Sequence, residues 1–137
     1  MASISVSTGK KEIEIIRDGE NVGSIYFSPA DSSLIPRLNE AQKKLAALKP
    51  PEAESVDDKI NALDQLDKEA RQILDEAFDY PCSDIIFGKS FTFTTHLGAS
   101  MLEQFLDGAL KIIKAETEAE HKKAQAKREK YTAKYKK

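Results

Sequence analysis

Residues 12–16 read Glu-Ile-Glu-Ile-Ile, with apolar and polar side chains alternating at the start. A period of two predicts a strand with one face covered. Asp18-Gly19 supplies a turn, since glycine accepts a positive φ at little cost, and residues 22–27 form a second strand-like run carrying Ile25, Tyr26 and Phe27. The expectation is a β-hairpin. Two strands alone are marginal in water, so the hairpin must lie on something apolar or pair with a further strand. Ile4 and Val6 offer a short additional edge.

After Pro29 the period changes. Leu34, Leu38, Ala41, Leu45 and Leu48 recur at helical spacing with Glu40, Lys43 and Lys44 opposite. Asp31 or Ser32 can cap the helix, and Pro36 fits only in a first turn, which places the start near Ser33. Residues 49–54, with two consecutive prolines, predict a stiff connector. Ser55-Val56-Asp57-Asp58 has the form of a capping box. Val56, Ile60, Leu63, Ala70, Ile73, Leu74 and Ala77 then predict the buried stripe of a second helix, ended by Phe78 before Pro81. The two helices should form an antiparallel hairpin.

The most apolar stretch runs from Asp79 to Ile113. Residues 82–87 predict a helical turn closed by Gly88, with Ile85, Ile86 and Phe87 as anchors, and residues 91–95, Phe-Thr-Phe-Thr-Thr, have the alternation of a short strand that can pair with the hairpin. A last helix should begin near Leu97. Its apolar residues Met101, Leu102, Phe105, Leu106, Ala109, Leu110, Ile112 and Ile113 cover more than one face, as in a helix central to the core or facing a partner. Beyond Ile113 helix-favouring residues continue without a buried face. The fold class expected is α+β, mostly α-helical: an N-terminal hairpin on a small bundle of three to four helices, with residues 1–113 as one compact domain and 114–137 as a basic tail, helical or disordered.

Charge sharpens that division. Residues 1–113 hold 12 Lys and Arg against 19 Asp and Glu, a net of −7, whereas residues 114–137 hold 9 against 4, a net of +5. An acidic body carries a basic tail. The single Cys82, the absence of an apolar leader at the start and the charges interrupting residues 102–113 lead to the expectation of a cytoplasmic protein without a membrane span.

Candidate chemistry is sparse. Gly88-Lys89-Ser90 matches the second half of a phosphate-binding loop, but Ser83 stands where its first glycine belongs. His96 and His121 lack neighbouring ligands for zinc, and no base near Cys82 is identifiable to activate it. Neither an enzyme nor a bound cofactor or metal is expected. The lysines of the tail, with Tyr131 and Tyr135, could follow a nucleic-acid backbone, but the acidic body opposes this.

The order of parts resembles the tail assembly chaperones of tailed bacteriophages that infect Gram-positive hosts. Phe78-Asp79, then Cys82-Ser83-Asp84-Ile85-Ile86-Phe87-Gly88, then Leu102, Phe105, Leu106 and Ile113 carry the likeness. Tyr80-Pro81 replaces a glycine-rich segment, and residues 91–95 have no counterpart in the family pattern. The resemblance implies a protein that binds the tape-measure protein, keeps it soluble and hands it to tail-tube subunits, with the major tail protein as a further partner and self-association an option. In that family a longer product often arises by ribosomal frameshifting. The side chains expected to meet the client are Ile85, Ile86, Phe87, Met101, Leu102, Phe105, Leu106, Ala109 and Ile113, through a helix-in-groove contact. A structural virion or adaptor protein and a nucleic-acid-binding regulator are the alternatives.

Overall fold

A computed structural model describes residues 1–49 and 54–135. The hairpin pairs β1 (Lys11–Arg17) with β2 (Glu20–Phe27), Ile13 opposite Ile25, around Asp18 and Gly19, both at positive φ. A bulge between Ile15 and Ile16 shifts the register near the turn. It re-aims the strand end, as bulges do. Ile25 and Phe27 enter the core, while Ile13 and Ile15 pack on its edge.

Helix α1 (Leu34–Ala46) buries Leu34, Leu38, Ala41 and Leu45 of the predicted stripe, with Pro36 in its first turn, while Leu48 lies beyond its end, half-buried. Asp31 accepts hydrogen bonds from the Ser33 amide and hydroxyl, and so braces the approach to the helix. Helix α2 (Val56–Phe78) starts on Ser55, whose side chain accepts from the Asp58 amide. That is the predicted cap. Leu34 and Arg37, at the start of α1, share a cavity wall with Phe78 at the end of α2, so the two helices run in opposite directions. Residues 50–53 of the connector predicted over 49–54 lie outside the described residues.

The stripe predicted for α2 holds only in its second half. Leu66, Ala70, Leu74, Ala77 and Phe78 are buried, but Val56 is 73% exposed, Ile60 52% and Leu63 37%. Length explains this. With 23 residues against 13, α2 is roughly 15 Å longer than α1, so its first turns outrun the helix that would cover them.

Helix α3 (Ser83–Phe87) is the predicted helical turn, closed by Gly88. The strand expected over residues 91–95 does not form. The Thr92 amide donates to Asp67 and the Thr92 carbonyl accepts from the Leu102 amide, so its backbone groups are engaged elsewhere, and a turn joins Phe91 to Thr94. A two-residue ladder follows instead, β3 (Thr95–His96) against β4 (Ala99–Ser100), separate from the hairpin. Leu97 and Gly98 make its turn at positive φ, which is why the last helix cannot begin at Leu97. Helix α4 (Met101–Tyr135) starts on Ser100, whose hydroxyl accepts from the Glu103 amide. Ile4 and Val6, expected to add an edge strand, are instead in irregular chain and fully exposed.

The architecture is therefore α+β and mostly helical, a hairpin followed by four helices. Leu102, Leu106, Ala109 and Ile113 of α4 join Phe78 and Phe87 in one core with α1 and β2. Burial along α4 then ends, and residues 121–130 are all exposed. Among the described residues no helix is long and apolar enough to cross a membrane.

Candidate protein-binding surface

Helix α2 places Asp67 and Arg71 one turn apart on its inner side. The Arg71 guanidinium donates to Asp67 at 2.9 Å, to Asp84 at 3.0 Å, and to the carbonyls of Gly88 and Ser90 at 2.8 and 2.7 Å. It also lies 5.7 Å from the Phe87 ring centre. Asp67 uses its other oxygen to accept from the buried Thr92 amide at 2.7 Å. One arginine thus ties the end of α3 and the following turn to α2. The geometry suits arginine, because a rigid planar fork reaches several acceptors at once.

A second arginine works from the hairpin side. Arg17, just past the bulge, donates to the carbonyls of Ile85 and Ile86. These are orphan acceptors at a helix end, where a cation is favourable. Gly88, at φ +58°, lies so close that a Cβ there would stand 2.9 Å from the Arg17 guanidinium nitrogens. Any other residue would have to displace the arginine tip and adopt a left-handed φ, which glycine takes without strain.

Fastening α3 between the two arginines leaves a groove of about 610 Å³ beside it. The strand end Ile15, Ile16 and Arg17 forms one wall, residues 94–96 a second, and Met101, Gln104 and Phe105 of α4 a third. Phe105 is held edge-on by Phe78 and Phe87, at centroid distances of 6.0 and 6.3 Å. Ile16 is 58% exposed at the rim. Here an apolar side chain of a partner would find apolar contacts and polar edges together, the usual make-up of a recognition groove.

The nine residues expected to meet a client divide sharply. Ile86, Phe87, Leu102, Leu106, Ala109 and Ile113 are core residues, each no more than 8% exposed. They are sealed because α4 packs its inner stripe on α3, β2 and the end of α2 rather than on a groove open to solvent. Ile85, Met101 and Phe105 are only half-buried and pack at the border of the core. Of the nine, Ile86, Met101 and Phe105 line the groove, and Ile16 of the hairpin stands there with them.

The remaining candidates resolve geometrically. Gly88-Lys89-Ser90 follows a five-residue helix and leads into a turn, with two of its carbonyls given to Arg71. Its backbone thus presents acceptors where a phosphate needs donors. His96 and His121 are exposed, and among the described residues no three His, Cys, Asp or Glu side chains gather to hold a metal.

Cys82 is fully buried, its thiol directed at the Leu74 carbonyl and Asp75. Burial, reinforced by the neighbouring Asp75 carboxylate, pushes the thiol up to about 12. Burial likewise raises Tyr80 to about 12, and its hydroxyl accepts from the Tyr26 amide. Both groups favour the neutral form in the folded chain, whereas the unfolded chain releases their protons from about pH 9 and 10 upwards. Stability is therefore unaffected by them below pH 8 and should fall as pH rises from about 9 towards 12. Urea midpoints measured across that range should decline, and Cys82→Ala should remove the part that begins near pH 9. The native thiol should also resist aromatic disulfide reagents until the chain unfolds.

Sequence reasoning missed both arginines and Asp67. A signal was present: Asp67 and Arg71 fall between Leu66, Ala70 and Leu74, on the apolar arc of α2, where an unpaired charge would be costly. No family model, curated protein or solved structure matches the chain.

Proposed function

We propose that the chain is a protein-binding assembly factor, and specifically a phage tail assembly chaperone that keeps the tape-measure protein soluble during tail morphogenesis. The observation that carries the binding role is the groove between the hairpin end and the start of α4, with Ile16, Met101 and Phe105 on its walls. The resemblance in residues 78–88 and along α4 supplies the identity of the client. A tape-measure chain is long and helical, and before assembly it exposes apolar stripes. Ile16 and Met101 can cover part of such a stripe while the core beneath stays closed. One groove of this size covers only a short length of client, so several copies would bind each tape-measure chain.

Co-expression with the tape-measure protein of the same phage tests the reading. Soluble yield of the client should rise several-fold with the wild-type chain. Ile16→Asp combined with Met101→Lys should return it to the level without chaperone, because a charge in the groove repels an apolar stripe. Ile16 is mostly exposed, and a lysine side chain in place of Met101 can extend its ammonium to water, so the variant should unfold within about 1 kcal/mol of the wild type. Equal client yield with and without the chain, or with wild type and folded variant, would refute the proposal. Mature particles analysed by mass spectrometry should lack the chain; its presence would favour a structural virion component.

A further inference from the structure

Among the described residues, the exposed half of α4 touches its own body only near its start, where Glu116 pairs with Lys11. From Lys114 to Tyr135 the helix covers roughly 33 Å, and over residues 121–130 every side chain is exposed. Helical stability in proteins comes mostly from packing of one face, so a contact that covers one face of residues 121–130 would add to the stability of this half.

Its charge is arranged, not scattered. Lys123, Lys127 and Lys130 stand at i, i+4 and i+7, which aligns them on one face. Two of the four glutamates in this half are already engaged: Glu116 pairs with Lys11 at 2.7 Å, and Glu118 with Lys122 at 3.6 Å. Glu120 stands three positions before Lys123 on the same face, whereas Lys127 and Lys130 have no carboxylate three or four positions away.

A complementary surface lies on the body. The last turns of α2 and the following segment form an open groove of about 610 Å³, where Glu76, Asp79 and Asp84 present exposed carboxylates around Tyr80 and Pro81. The cations at its edge are occupied, Lys68 by Asp64 and Arg71 by Asp67 and Asp84. Tyr80 and Pro81 offer apolar surface for lysine stems, and the carboxylates receive the ammonium groups.

Residues 121–130 are all exposed, so they do not occupy the groove on their own body. No glycine or proline follows Gly108 in the sequence to bend α4, and sharp kinks need such a cause. Nucleic acid is a poorer match for the lysines, since the body that carries them has a net charge of −7. We propose that the exposed half of α4 docks its Lys123, Lys127 and Lys130 face onto the acidic groove around Glu76 and Asp79 of a second copy of this chain. Each copy then carries one donor helix and one acceptor groove, so contacts either close as a reciprocal pair or propagate head to tail. The inference concerns the chain alone and stands or falls independently of the client.

Sedimentation velocity on the full chain is the test. At about 50 mM salt the average size should grow with protein concentration, and at about 500 mM, where the screening length is roughly threefold shorter, it should return to the monomer. Lys123→Glu/Lys127→Glu/Lys130→Glu should weaken association at least about tenfold, as should Gln72→Lys/Glu76→Lys, since the first loses several exposed ion pairs at once and the second exchanges one carboxylate for two ammonium groups that repel the lysine face. An equimolar mixture of the two variants should associate again, because the acidic helix of one now matches the basic groove of the other. Lys123→Gln/Lys127→Gln, which reverses no charge, should give an intermediate loss and guards against a folding defect in the triple variant. A monomer at every concentration in low salt overturns the proposal. So does association that survives helix reversal, a mixture that stays monomeric, or assemblies that disappear on nuclease treatment, the last outcome assigning the lysines to nucleic acid.

Discussion

Arg71→Ala should cost the chain about 3–5 kcal/mol, the range found when one partner of a buried ion pair is removed. Asp67 and Arg71 side chains are only 9% and 15% exposed, so the carboxylate left behind stays out of water. It keeps one donor, the Thr92 amide, and loses its charge partner. The carbonyls of Gly88 and Ser90 lose their donor at the same time, and the turn that leads from α3 into Thr92 is released from α2. Against a total stability of about 5–15 kcal/mol, that is a large fraction. Arg71→Lys should recover little, since a single ammonium cannot replace a fork that reaches Asp67, Asp84 and two carbonyls. Lys68→Ala is the matched control: its ion pair with Asp64 is exposed on both sides and is worth about 0–1 kcal/mol. Urea unfolding of the three variants decides the matter, and a loss below about 1 kcal/mol for Arg71→Ala would mean that the network contributes nothing net.

That network also marks where the sequence stopped being readable. Local signals were sufficient for the hairpin, because alternation in residues 12–16 and the Asp18-Gly19 turn are determined within a few residues, and for α1, whose stripe has a strong period. The α3 turn closed by Gly88 was legible for the same reason. What failed was long-range. The run at 91–95 has the composition of a strand, yet Asp67, 25 residues earlier, takes the Thr92 amide and leaves no ladder to join. Val56 and Ile60 have the spacing of a buried stripe, but whether a stripe is covered depends on the length of the neighbouring helix, which no pattern inside α2 encodes. The groove was half visible: Met101 and Phe105 were marked by apolar spacing, whereas Ile16, next to a bulge in β1, lines it from a distant part of the sequence.

The same distinction decides how substitutions in the last helix must be interpreted. Leu106→Asp should abolish cooperative folding at 25 °C, or lower the unfolding free energy by about 4 kcal/mol or more, an effect reserved for core charges and cavities. Leu106 is 8% exposed and lies on the inner stripe with Leu102, Ala109 and Ile113. Replacing it removes a leucine from the core, which costs about 2–5 kcal/mol, and adds a carboxylate with no cation placed to receive it. Ile112→Asp, six residues further along and 43% exposed, should change stability by only about 0.5 kcal/mol. A chaperone assay on Leu106→Asp would therefore report lost activity for a reason unconnected with client contact, whereas Ile16→Asp/Met101→Lys isolates the contact itself. Thermal unfolding by circular dichroism separates the cases. If Leu106→Asp melts with the wild type and still fails to protect the client, then the inner face of α4 opens to receive it, and the groove at Ile16 is not where binding occurs.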